Sequence, residues 1–206
     1  MQITQDIMRS VHDRSQLLPL LRTPLLGELL AWLFLHPEES YSVAELTHQL
    51  NASQSSVSRE ADRLVEAGLV TAATRGRMRL LRADLTSALA RPLTELLTLT
   101  YGPAAVLADL LPTMDGVDEA YIYGSWAARH AGEAGPPPRD VDVLVVGDAD
   151  DDDLADAALA AEQRLGREVN IHRVSASAWR SPGGDPFLTS VRSRPLYTIV
   201  RSGDRS

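Results

Sequence analysis

Residues 123 to 146 read YGSWAARHAGEAGPPPRDVDVLVV. The alternating stretch before them, DEAYIY, predicts a strand that turns at Gly124-Ser125 into a small-residue helix, SWAARHA. A Gly-Ser turn opening a helix presents free backbone N–H groups and the positive end of the helix dipole, so it can receive a phosphate. After a proline-rich gap comes DVDVLVV, a second strand. Residues two apart on a strand share a face and lie about 6.6–6.8 Å apart along it. Asp140 and Asp142 therefore point the same way, with Leu144 and Val146 beyond them, while Val141, Val143 and Val145 point oppositely. Two partly buried carboxylates this close repel, which raises one pKa or demands a cation. Mg²⁺, commonly held by one or two carboxylates plus substrate phosphates, would resolve the conflict. The plainer alternative is a pair of aspartates at the exposed start of a strand.

The elements that must position these groups belong to a chain of 206 residues, enough for one large domain or two small ones. Apolar residues make up 44%, which implies a globular chain. There is no Cys, so disulfides and thiolate metal sites are excluded, and a cytoplasmic location is expected. The apolar run LLGELLAWLFL (25–35) contains Glu28, is too short to cross a bilayer, and lies too far along the chain for a signal peptide; no membrane partner is expected.

All 20 basic residues are Arg, and the formal net charge is −8, which argues against a generally adhesive nucleic-acid binder. The charge is uneven. Residues 1–100 are net −1 and residues 101–206 net −7, yet residues 54–82 hold six Arg against three acids. A local basic patch on an acidic protein suits a module that reads DNA.

Within the first half, Thr23-Pro24 reads as an N-cap and a proline at the first helical position, opening a nearly all-round apolar helix. Ser42-x-x-Glu45 is a capping box for a second helix, SVAELTHQL. A third helix, SQSSVSREADRLVEAG, should turn Val57, Ala61, Leu64 and Val65 inward. Gln54, Ser55, Ser56, Ser58, Arg59 and Arg63 should face outward. LVTAAT and MRLLRA read as two strands around the basic turn Arg75-Gly76-Arg77. This order resembles the winged helix-turn-helix domains of bacterial repressors of the arsenic and multiple-antibiotic-resistance types, over roughly residues 23 to 85. The resemblance implies that residues 54–63 enter the major groove of an operator and that Arg75, Arg77 and Arg79 lie along the backbone or minor groove. Arg59 is the expected base reader, since arginine pairs bidentately with guanine. A solvated face of a small helical module is the alternative. ADLTSALARPLTELLTLTYG (83–102) carries a leucine stripe broken by Pro92. It reads as a linker helix or, in a twofold repressor, as the seam of a homodimer.

Strand, Gly124-Ser125, helix, loop and Asp140-Val-Asp142 together resemble the nucleotidyltransferase domains of the DNA polymerase β superfamily, over about residues 103 to 201. By that resemblance Gly124 and Ser125 hold a nucleotide's phosphates, and Asp140 and Asp142 hold Mg²⁺. Fourteen residues separate Ser125 from Asp140, a gap longer than usual. The third carboxylate, expected on the strand REVNIHRV, is replaced by Asn170, which can neither act as a general base nor draw in a second metal. Glu168 or His172, two residues to either side, could substitute. Asn170 otherwise becomes a hydrogen-bonding ligand in a site that binds without turnover.

The expected fold is α+β. A winged helix-turn-helix (1–85) and a linker helix (86–101) precede a nucleotidyltransferase-like α/β domain with a mixed sheet (102–206). The expected function is transcriptional regulation with a nucleotide or phosphorylated effector. The runner-up is an active transferase that moves a nucleotide monophosphate to a protein or small molecule, targeted by the DNA-binding domain.

Overall fold

A computed structural model describes residues 21–201. The stretches 1–20 and 202–206, the outer ends of the regions assigned to the two domains, lie outside the described residues. The chain is mixed α+β and divides into two compact units between Gly102 and Pro103. Among the described residues, no helix is long and apolar enough to cross a membrane.

The first unit begins with α1 (Pro24–Leu35), capped by Thr23, whose side chain accepts from Leu26 N at 3.2 Å. Its apolar surface supplies Leu29, Leu30, Leu33 and Phe34 to the core, all nearly inaccessible. The two-residue strand β1 (Tyr41–Ser42) leads into α2 (Val43–Gln49). The capping box forms as the sequence predicts: Ser42 N donates to Glu45 Oε2 at 2.7 Å, and Glu45 N donates to Ser42 Oγ at 3.2 Å. Asn51 turns the chain and Ser53 caps α3 (Gln54–Glu66), accepting from Ser56 N. The hairpin β2 (Val70–Arg75) and β3 (Met78–Ala83) follows, joined by Gly76-Arg77, and β1 adds to β3 to give the antiparallel order β1-β3-β2.

The segment assigned as a linker behaves differently. The helix α4 runs Ala90–Tyr101, and Ala90, Leu97 and Tyr101 belong to the same core as α1. Gly27 makes this possible, since a side chain there would overlap the Tyr101 hydroxyl. The helix is thus the last element of the first unit. Pro92 does not break it. It is the third helical residue, where a backbone N–H has no intrahelical acceptor to lose.

In the second unit, α5 (Pro103–Leu110) precedes β4 (Val117–Tyr123), α6 (Gly124–His130) and β5 (Asp140–Gly147). Then come α7 (Asp151–Leu165), β6 (Glu168–Val174), α8 (Ala176–Arg180), α9 (Pro186–Arg192) and β7 (Tyr197–Val200). The sheet order is β6-β5-β4-β7, and it is mixed: β5 pairs with β6 in parallel and with β4 antiparallel. Val141, Val143 and Val145 pack with Leu107, Trp126, Leu154, Ala161 and Leu165, whereas Leu144 and Val146 pack with Leu188 and Val191 of α9. The period-two division of β5 between two cores is as the sequence implies. The acidic run does more than precede its helix. Asp150 caps α7, and Asp151, Asp152 and Asp153 form its first turn beside the positive helix end.

Candidate functional site

Asp140 and Asp142 are half-buried at the end of β5 that α9 leaves open. The antiparallel register sets Asp142 opposite Tyr123, the residue before Gly124. Gly124 has φ +71°, a backbone conformation costly for any side chain, and a Cβ there would overlap Asp142 Oδ2. The carboxylate of Asp142 therefore rests against the bare backbone of the Gly-Ser turn. Ser125 follows, exposed, its hydroxyl without a hydrogen bond among the described residues. The helix it opens has only seven residues, so the backbone N–H groups of the turn, more than a long macrodipole, are what it offers an anion.

The parallel register completes the corner: Asp140 pairs with Glu168, Asp142 with Asn170, and Leu144 with His172. Asn170 is thus the β6 neighbour of the second aspartate. The Asp142 carboxyl is held above the ordinary carboxylate range, first by burial and then by the charge of Asp140, with Glu168 adding a smaller push. A hydrogen bond from the Asn170 side chain opposes these. Tyr123 is raised as well, by burial and then by Asp142. Phe187 closes one side, its ring 5.8 Å from Tyr123 and 4.7 Å from His172. His172 is therefore in ring contact with Phe187 and lies in register with Leu144, one step past the aspartates.

The long gap before Asp140 is anchored at both ends. Arg129 donates to Ala134 O at 2.8 Å, and Arg167 donates to Pro138 O. The excess loop is tied back by arginine–carbonyl bonds that local spacing does not reveal.

Among the described residues, no group of three or more His, Cys, Asp or Glu side chains is arranged to hold a metal ion. Two carboxylates on one face, one of them destabilised by the other's charge, fit Mg²⁺ in a single mode, in which a ligand's phosphate oxygens complete the coordination. Asp140 and Asp142 would hold the ion there, and it would supply charge neutralisation to a polyphosphate.

In the first unit, α3 turns Val57, Ala61 and Leu64 into the core and leaves Gln54, Ser55, Arg59 and Arg63 exposed, with Ser56 and Ser58 intermediate. The arginines are not equivalent. Arg59 Nε donates to Ser55 O at 3.1 Å, along its own helix. Arg63 donates to Glu60 Oε1 at 2.8 Å, and Arg79 is bound to Asp62, joining the hairpin to α3. Arg82, absent from the sequence-derived set, donates to Pro37 O at 2.8 Å. Arg75 and Arg77, at the hairpin tip, are exposed, and their side chains make no ion pair or hydrogen bond among the described residues. The sequence pattern does not anticipate that Arg63 and Arg79 are already paired with acids. It also misses Arg22, whose guanidinium lies 3.6 Å from Glu60.

No protein-family model and no curated protein matches the chain. Among solved structures it is similar to reduced HlyU from Vibrio cholerae, at 23% identity over 49% of this chain and 98% of that one, with a TM-score of 0.34.

The raised Asp142 carboxyl yields a pH prediction. Between the ordinary aspartate value of 3.8 and the raised one, the folded chain holds more protons than the unfolded chain, so this group's contribution falls as pH rises through that interval. Asp142→Asn should therefore be more stable than wild type at pH 7, and its advantage should shrink as pH falls toward 3.8. Urea unfolding across that range reads it. A variant less stable at pH 7 would mean that contacts within the fold already compensate the carboxylate.

Proposed function

We propose that the protein is a sequence-specific DNA-binding transcriptional regulator. Its first unit acts as a winged helix-turn-helix, and its nucleotidyltransferase-like second unit binds a nucleotide or phosphorylated effector together with Mg²⁺. The observation that carries the DNA-binding half is the solvent face of α3. It offers small hydroxyl side chains and Arg59, within a unit whose hairpin tip holds Arg75 and Arg77 free of protein partners among the described residues. Small side chains let a helix approach a groove floor, and unpaired arginines suit phosphate. In this reading Gln54, Ser55, Ser56, Ser58 and Arg59 face the bases, and the hairpin arginines follow the backbone.

The nucleotide-binding half rests on the carboxylate lodged against Gly124 and on the charge conflict between Asp140 and Asp142. The turn's N–H groups and Ser125 would bind phosphate, and Asn170 would orient Asp142. With Asn170 beside Asp142 where transfer would call for a third carboxylate, binding without turnover is favoured over transfer. A homodimer is part of the proposal. Leu89, Leu96 and Leu99, at helical spacing, are 60%, 38% and 53% exposed. Such a stripe gains by burial against a second copy.

Three measurements check these statements. In gel shifts on the DNA upstream of its own gene, Arg59→Ala should lose about 1–3 kcal/mol of discrimination, roughly 5- to 150-fold, between operator and random duplex. Equal loss on both would make Arg59 a phosphate contact and not a base reader. Mg²⁺ alone should barely move the melting temperature, whereas Mg²⁺ with a nucleoside triphosphate should raise it, and Asp142→Asn should abolish the rise. No shift with any of the four triphosphates would remove the nucleotide from the proposal. In sedimentation, Leu96→Gln with Leu99→Gln should convert a dimer to a monomer; an unchanged mass would place the seam elsewhere.

A further inference from the structure

Glu60 is the one carboxylate of α3 that is buried, its side chain 11% exposed, and the sequence offers no function for it. It faces two arginines. Arg63 Nη1 donates to Oε1 at 2.8 Å, and Arg22 Nη2 approaches Oε2 at 3.6 Å, an ion-pair distance too long for a hydrogen bond. Oε2 is buried and has no hydrogen-bond partner among the described residues. The Arg22 and Arg63 side chains are 58% and 53% exposed, so both guanidinium groups reach solvent while sharing one anchor. Arg22 also holds φ at 60°, a left-handed conformation uncommon outside glycine, immediately before the Thr23 cap of α1.

One carboxylate against two guanidinium groups leaves the cluster with a net charge of +1. Each guanidinium has five N–H donors in a rigid fork, and the carboxylate engages only a small part of them. Arg63 lies one helical turn beyond Arg59, so the two share a stripe of α3. The shared carboxylate brings Arg22 alongside that stripe from the start of α1.

We infer that Arg22 and Arg63, organised on the buried carboxylate of Glu60, form a phosphate-binding pair that extends the nucleic-acid face of α3, with Glu60 as a positioning residue. The ligand is a backbone phosphate of duplex DNA, and the inference rests on the DNA-binding reading above. Arg22 supplies affinity without sequence preference, because a phosphate contact positions the protein and reads no base. A role confined to packing α1 on α3 would leave binding unchanged once the protein is folded.

Salt dependence separates the two. With the full chain and a random-sequence 30-base-pair duplex, the slope of log affinity against log salt concentration falls by about 0.9 for each phosphate that is no longer neutralised. Arg22→Ala should flatten the slope by about that amount, so that the drop in affinity between 50 and 200 mM salt is smaller by about three- to fourfold. Arg22→Lys, which keeps the charge, should retain the wild-type slope. Should Arg22→Ala disturb the circular dichroism spectrum, Arg22→Gln carries the same expectation with a longer side chain in place. In a Glu60→Gln background, Arg22→Ala should change the slope by less than half as much.

A folded Arg22→Ala or Arg22→Gln protein with the wild-type slope overturns the phosphate contact. An undiminished effect in the Glu60→Gln background overturns the positioning by Glu60. If the wild-type chain shows no salt-dependent binding to the duplex, the DNA-binding reading fails and this pair falls with it. A wild-type slope that flattens in the folded Arg22 variants, and does so less in the Glu60→Gln background, bears out both parts.

Discussion

The second unit is organised around a conflict of charge that the strand period imposes. Because side chains on β5 alternate, Asp140 and Asp142 must share a face, and the cost appears in the raised Asp142 carboxyl. The rest of the unit relieves this only in part, through the hydrogen bond from Asn170. Val141, Val143 and Val145 are buried on one side of the sheet, and Leu144 and Val146 are held against α9 on the other. With both faces packed farther along, a one-residue slip of β5 would turn the aspartates into the core that Val141, Val143 and Val145 occupy, so the register is fixed. Gly124 then yields the space a side chain would take, so that the carboxylate lies against backbone amides. The residual charge conflict therefore lies beside the open backbone of the Gly124 turn.

In the first unit the controlling quantity is which arginine charges are already neutralised. Residues 54–82 have a basic excess, but Arg63 is paired to Glu60 and Arg79 to Asp62. The exposed Arg79–Asp62 pair contributes about 0–1 kcal/mol, so its main effect is on geometry. The Asp62 pair ties the hairpin to α3, and the Glu60 cluster ties α3 to the start of α1. Between these two ties the face of α3 is held at a fixed attitude, and the Arg75 and Arg77 side chains have no ion-pair partner among the described residues. Preorganisation of this sort lowers the ordering cost of meeting a rigid partner.

Much of the fold was legible because the signals were local. The Thr23-Pro24 start and the Ser42/Glu45 capping box each satisfy backbone groups within a few residues, and both helices form where those signals put them, whereas the turn read as Arg75-Gly76-Arg77 tightens to Gly76-Arg77 because Arg75 pairs with Met78. Where only composition was available, boundaries moved. Four consecutive aspartates carry no periodicity of their own, yet the first of them caps α7 and the other three form its first turn. Pro92 signalled a break, yet at the third helical position it costs no hydrogen bond. The segment meant as a linker became a core helix because Gly27 lets Tyr101 close on α1, a contact between residues far apart in the chain.

By itself the sequence determined the two-residue step that aligns Asp140 with Asp142, the φ-permissive glycine before Ser125, the amphipathic face of α3 and the excess of arginine around it. These follow from periodicity and from the conformational limits of single residues. Tertiary structure alone decided that Asn170 stands in register with Asp142, that the carboxylate meets Gly124, and that Arg22 joins Arg63 on Glu60. Strand pairing and helix packing bring together groups that share no local spacing. Electrostatic coupling depends on separation in space, which the order of residues along the chain does not encode.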